Sequence, residues 1–143
     1  VNSFPPPPGG SGEAHQPGAI VLVVDDYRCL STMIAGMLRS CGYHVLTASS
    51  GQEAKALARE NAKIDLLLTD IEMPEMRGDE LAAWFRTAKA ETRILFMSSQ
   101  PAFREELQPV HFLQKPFRVE VLFSKVREVL NRHSASSAKT TAS

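Results

Sequence analysis

An excess of charge of one sign is missing from this chain: its 143 residues carry 16 Lys plus Arg against 16 Asp plus Glu, a formal net charge of +0. A balanced surface exerts no net pull on a polyanion, so neither nucleic acid nor an anionic membrane is expected as a partner. Long apolar runs are missing too. No stretch approaches the ~20 residues that a membrane span needs, and the opening Val1-Asn2-Ser3-Phe4 has neither the basic region nor the apolar run of a signal peptide. The expectation is a soluble, cytoplasmic protein without membrane contact. Cysteine is scarce: Cys29 and Cys41 have no CxxC neighbour, which argues against a zinc or redox site and leaves two buried thiols as the expectation. The four histidines, His15, His44, His111 and His133, are scattered between tail and strand or helix ends and offer no metal or phosphohistidine site.

Core-forming residues are also lacking at both ends. Five of the nine prolines and four of the eight glycines fall in residues 1–18, which read as a Pro/Gly-rich linker or tail, partly polyproline II. Residues 134–143 are Ser, Ala, Thr and one Lys, a second tail with nothing to bury. The folded domain is therefore expected over residues 19–133, a length typical of one domain with one core. No initiator methionine precedes the Pro-rich stretch, as in a piece of a longer chain; processing gives the same start.

What is present between the tails is an alternation of periods. Strands are expected at Ile20 to Val24, His44 to Ala48, Leu66 to Leu68, Ile94 to Met97 and Phe112 to Gln114. Between them lie helical spacings: Leu30, Met33, Ile34, Met37 and Leu38 before a stop at Gly42; Ala54, Leu57 and Ala58 within Gly51 to Asn61; and Leu81, Trp84, Phe85 and Ala88 after Gly78, with Asp79 as N-cap. A short helix over Pro101 to Leu107 and a strong stripe of Val119, Leu122, Phe123, Val126 and Leu130 complete five strands and five helices. Strict alternation implies an α/β fold, a parallel sheet with helices on both faces. Strands apolar at every position, such as Ile20 to Val24 and Leu66 to Leu68, belong in its middle.

The residues that end those strands carry the chemistry. Val21 to Val24 runs into Asp25-Asp26, Leu66 to Thr69 into Asp70, Ile94 to Met97 into Ser98, and Phe112 to Gln114 into Lys115-Pro116. In a parallel sheet these ends share one edge, where open α/β sheets bind their ligands. Each alone has a plainer explanation: Asp70 as a turn residue, Asp25-Asp26 as helix-dipole caps, Lys115 as a solvated charge. Their convergence favours function.

An acidic pair, a single Asp, a small hydroxyl and Lys-Pro after strands one, three, four and five resemble the receiver domains of two-component response regulators over residues 19–133. Met73-Pro74, Gly78 and Lys115-Pro116-Phe117 agree. The resemblance implies a flavodoxin-like, doubly wound five-stranded sheet of order 2-1-3-4-5. It further implies that Asp70 is the phosphoacceptor and that Mg²⁺ (or Mn²⁺) is held by Asp26, Asp70 and the Glu72 main-chain carbonyl, with Asp25 acting through water. Lys115 would pair with Asp70 and then with the phosphoryl group, Ser98 would donate its hydroxyl to it, and Phe112, where many members have Tyr, would report the change. Glu72 and Gln100 would tune hydrolysis, and Pro116 would follow a cis bond. The implied donor is a histidine kinase or histidine phosphotransfer domain. The implied role is that of a signalling domain that assists its own phosphorylation and dephosphorylation, not an enzyme proper.

One departure and one closer likeness stand out. Ser98 to Lys115 is several residues short, so the fourth helix should be stunted or irregular, putting in doubt the dimerising or output-binding face that this helix helps form. Met97-Ser98-Ser99 and Phe112-Leu113-Gln114-Lys115-Pro116-Phe117 look like receivers at the C-terminal end of hybrid sensor histidine kinases. A free-standing single-domain regulator, a phosphate sink and a non-phosphorylated pseudo-receiver are the alternatives. An aspartyl phosphatase would need a second Asp two residues after Asp70, where Glu72 stands, and a flavodoxin-type cofactor loop would not place Asp25-Asp26-Tyr27 against phosphate. Sequence does not indicate the oligomeric state.

Overall fold

In the computed structural model, which describes residues 18–100 and 111–142 with side chains to residue 131, every strand is parallel to its neighbours. The elements are β1 (Ile20–Val24), α1 (Arg28–Arg39), β2 (His44–Ala48), α2 (Gly51–Glu60), β3 (Leu66–Asp70), α3 (Gly78–Ala88), β4 (Arg93–Ser98), β5 (Phe112–Gln114) and α4 (Val119–Ala142). The sheet order is β2-β1-β3-β4-β5. Sequence alternation thus produced the expected doubly wound sheet. The short helix expected over Pro101 to Leu107 falls outside the described residues.

Period-two geometry sorts the strand residues between two cores. Val21, Val23, Leu66, Leu68, Leu95 and Met97 point to one face, where Ile34, Ala35 and Leu38 of α1 and Leu122, Val126 and Leu130 of α4 cover them. Leu22, Val24 and Leu67 point to the other, beneath Ala54 and Ala58 of α2 and Leu81 and Phe85 of α3. On that second side a small cluster of Ile71, Ala82, Phe96 and Phe112 closes the β4–β5 edge.

Several local expectations are corrected. Met33 and Cys29 are exposed, because the buried stripe of α1 is Ser31, Ile34, Ala35 and Leu38 and both lie off it; Cys41 is half-buried. The N-cap of α3 is Arg77, not Asp79: Glu80 reaches back so that its Oε1 accepts the Arg77 N–H at 3.0 Å, and Asp79 sits inside the first turn. Trp84 is only partly buried and Ala88, expected inward, is exposed. Trp84 is a shoulder, edge-on to Phe85 with centroids 5.2 Å apart and covered by Lys55 and Arg59 of α2, each 5.5 Å from its ring centre. Gly42 ends the α1 region at φ 97°, a left-handed conformation that a side chain resists.

Candidate functional site

The carboxyl ends of β1, β3 and β5 meet at one edge, and each delivers its polar residue by a different local device. Asp25 extends β1 by one residue through its N–H to Ala48 O at 3.2 Å. Its Oδ1 then accepts the Tyr27 N–H at 2.9 Å, which turns the chain into α1. This bond makes a turn ahead of the helix, not a cap: the N-cap of α1 is Tyr27, with no side-chain cap bond, so the capping role open to Asp25 and Asp26 is not the one they play. The turn leaves Asp25 only 1% exposed while Asp26 faces solvent.

Asp70 is the last residue of β3, in register with Met97, and is 4% exposed. The loop behind it folds tightly: Gly78 N–H donates to Ile71 O at 2.9 Å. A Cβ at Gly78 would lie 2.0 Å from the Asp70 carbonyl oxygen, so only glycine permits this approach. Lys115 leaves β5 with its N–H on Ser98 O at 2.8 Å. The Lys115–Pro116 peptide is cis.

These devices bring four of the expected residues together. Lys115 Nζ lies 3.2 Å from Asp25 Oδ2 and 3.3 Å from Asp70 Oδ1. Asp25, Asp26 and Asp70 each offer a carboxylate oxygen within 4.8 Å of the others. Burial, the largest influence, pushes the Asp70 carboxyl up to about 6; Lys115 opposes the rise, and the Asp25 and Glu72 charges add to it. Burial also works against the Lys115 ammonium, yet Asp25 and Asp70 outweigh it and hold the lysine above its ordinary value.

One lysine against three carboxylates leaves the cluster net negative. Asp70 Oδ1, fully buried, has no hydrogen-bond donor of good geometry among the described residues and faces Lys115 only as a charge. An orphaned buried oxygen beside two further carboxylates, one open to solvent, suits a hard divalent cation that takes oxygen ligands and keeps some water. The residues present fit Mg²⁺.

Ser98 and Glu72 form a separate arrangement that sequence reading did not find. Ser98 Oγ donates to Glu72 Oε2 at 2.5 Å and accepts the Gln100 N–H at 2.9 Å. The signal was faint, since it needs a side chain at the end of β4 and one in the loop after β3 to face one another. Phe112, in register with Phe96 of β4, is buried with Ile71 and Phe96, so its ring lies inward.

Comparison with known proteins places the chain in a family. Residues 21–127 fit the family model described as response regulator receiver domain. The alkaline phosphatase synthesis transcriptional regulatory protein PhoP of Bacillus subtilis is 32% identical over 117 residues, which cover 78% of this chain and 48% of that one. The chain thus spans about half the length of this curated relative. Among solved structures, the receiver domain of the hybrid histidine kinase CckA is similar with a TM-score of 0.68 and 32% identity, covering 78% of this chain and 99% of that one. Response regulator TrrA from Thermotoga maritima, solved with Mg²⁺ and BeF, gives 0.70 and 30% over the same 78% of this chain and 99% of its own. Topology, the acidic edge and these relatives agree: the chain belongs to the response regulator receiver domains of two-component signalling.

Proposed function

We propose that Asp70 is the phosphoacceptor of this receiver and that it takes its phosphoryl group from a phosphohistidine on a histidine kinase or histidine phosphotransfer domain. The observation that carries this reading is the convergence of Asp25, Asp26 and Asp70 within 4.8 Å around a lysine that pairs with two of them. A carboxyl titrating at about 6 is mostly ionised at neutral pH and is a competent nucleophile. An Asp70 carboxylate oxygen attacks phosphorus in line, the phosphorus–nitrogen bond to the donor breaks, and the imidazole leaves with a proton. Lys115 moves its charge from the carboxylates to a phosphoryl oxygen.

Asp26, Asp70 and the Glu72 main-chain carbonyl would hold Mg²⁺ directly, and Asp25 through water. The bound cation supplies neutralisation of the charge shared by the carboxylate and the three equatorial phosphoryl oxygens. Ser98 donates its hydroxyl to the modified group, and Phe112 reports the displacement. Glu72 and Gln100 flank the approach of the hydrolysing water, so exchanging them changes the phosphoryl lifetime without unfolding the domain. An unchanged lifetime, followed by loss of label, refutes that role.

Likeness to a hybrid-kinase receiver favours a module of such a kinase, acting in the cytoplasm, over a free-standing regulator or phosphate sink. Reading the coding sequence upstream for a histidine-kinase catalytic domain decides between them. For the central reading, the protein is incubated with Mg²⁺ and acetyl phosphate. Intact-mass measurement should show the addition of one phosphoryl group, lost with EDTA and abolished in Asp70→Asn. Uptake that survives Asp70→Asn overturns the assignment.

A further inference from the structure

Ser98 has one proton to give, and it is already given. The residue is 0% exposed, and its Oγ donates to Glu72 Oε2 at 2.5 Å while accepting the Gln100 N–H. A serine hydroxyl carries one donor hydrogen, so it serves one acceptor at a time. Donation to a carboxylate is charge-assisted and roughly twice as strong as a neutral hydrogen bond. The proposed switch requires the same hydrogen to reach a phosphoryl oxygen on Asp70.

We infer that Glu72 is a positioning residue that competes with the phosphoryl group for the Ser98 proton and thereby latches the end of β4 in its unmodified arrangement. This rests on Asp70 being the phosphoacceptor. The backbone around the serine is held on both sides: Ile71 N–H donates to Met97 O at 3.0 Å, and Lys115 N–H donates to Ser98 O at 2.8 Å. The first thing that can change is therefore the partner of the hydroxyl, and the end of β4 shifts after it. Glu72 is only partly buried, so once released its carboxylate returns to water at small cost. The latch biases the switch without blocking it, and the energy that phosphorylation spends on opening it is subtracted from phosphoryl binding.

A Glu72 carboxylate also repels a phosphoryl group through space, and that effect has nothing to do with Ser98. The two are separable by a double-mutant cycle. The full chain with Mg²⁺ is titrated with beryllium fluoride, a non-covalent stand-in for the phosphoryl group, in wild type, Glu72→Ala, Ser98→Ala and the double variant. All four keep the residue 72 main-chain carbonyl. Removing the Glu72 side chain should tighten binding at least about fivefold more when Ser98 is present than when it is absent, which is about 1 kcal/mol of coupling at 1.4 kcal/mol per tenfold. Glu72→Gln, which keeps an acceptor without its charge, should fall between wild type and Glu72→Ala.

An equal gain in both backgrounds overturns the latch while leaving the phosphoacceptor reading standing, because only repulsion is then at work. Failure of the folded wild type to bind beryllium fluoride overturns both. A second measurement needs no ligand: in the unmodified protein, Glu72→Ala should shift the amide resonance of Gln100, whose N–H bonds the same hydroxyl. An unmoved resonance also overturns the inference.

Discussion

Lys115 stands between two buried carboxylates, and removing it leaves them facing one another. The lysine is one-fifth exposed and Asp25 and Asp70 are nearly inaccessible, so the pair energy is less than that of a fully dry site. Lys115→Met should lower the stability of the metal-free protein by roughly 1–3 kcal/mol in urea unfolding. Saturating Mg²⁺ should narrow that gap, since a cation again offsets the carboxylates. A gap unchanged by Mg²⁺ would place the cation elsewhere. The pH dependence has a definite sign. The Asp70 carboxyl is raised from its ordinary 3.8 to about 6, so the folded state holds this proton more tightly than the unfolded chain does. Its stabilising contribution is full below about pH 4 and is lost as pH rises through about 6. Metal-free Asp70→Asn should therefore match wild type near pH 4 and exceed it by about 1–3 kcal/mol at pH 7, as read from unfolding midpoints. At this scale the acidic and basic partners were legible, because a charged residue at the end of a buried strand can go only to the sheet edge. The Glu72–Ser98 bond was not, since it depends on rotamers at a strand end and in a loop that no periodicity encodes.

Elements were easiest to read where burial dictated them and hardest where capping did. Fully apolar β1 and β3 left no other placement, and the stripe of Leu122, Val126 and Leu130 fixed the inward face of α4. Arg77 was missed as the α3 N-cap because its side chain is not of a capping type; the cap is made by Glu80 accepting the backbone N–H. In α2 the signal is explicit: Ser50 Oγ accepts the Glu53 N–H at 3.1 Å and Glu53 Oε1 accepts the Ser49 N–H at 2.8 Å. The β3–α3 connection carries the sharpest element-scale prediction. With a Cβ placed 2.0 Å from the Asp70 carbonyl oxygen, Gly78→Ala must push either α3 or the end of β3 away. It should cost about 1–3 kcal/mol and reduce phosphoryl uptake far more than Ser50→Ala, which removes a cap worth about 1 kcal/mol at a distance from Asp70. Equal uptake by the two variants would mean that Gly78 does not set the Asp70 geometry.

Across the whole molecule, two cores on opposite faces of one sheet make the site edge a property of the complete domain. No helix among the described residues is long and apolar enough to cross a membrane. Among the described residues the buried hydrophobic ones run from Ala19 to Leu130, and the outermost are tied in: Gly18 N–H donates to Gly42 O at 3.1 Å, while Val129 and Leu130 of α4 join the core shared with α1. The composition of residues 1–17 and 134–143 adds little apolar surface to either face. A chain trimmed to residues 18–133 should therefore keep its urea midpoint, with a stability change of less than about 1 kcal/mol, and should take up phosphoryl from acetyl phosphate at the full-length rate. Trimming instead to residue 125 removes Val126, Val129 and Leu130 and uncovers the β4 and β5 residues of that core, Leu95, Met97 and Leu113. At about 1.5–3 kcal/mol for each large buried side chain, three lost together approach the whole stability of a domain this size. That shorter chain should be unfolded by circular dichroism. If it keeps a cooperative transition, the α1/α4 face is not the stabilising half of the fold, and the domain boundary lies inside the last helix.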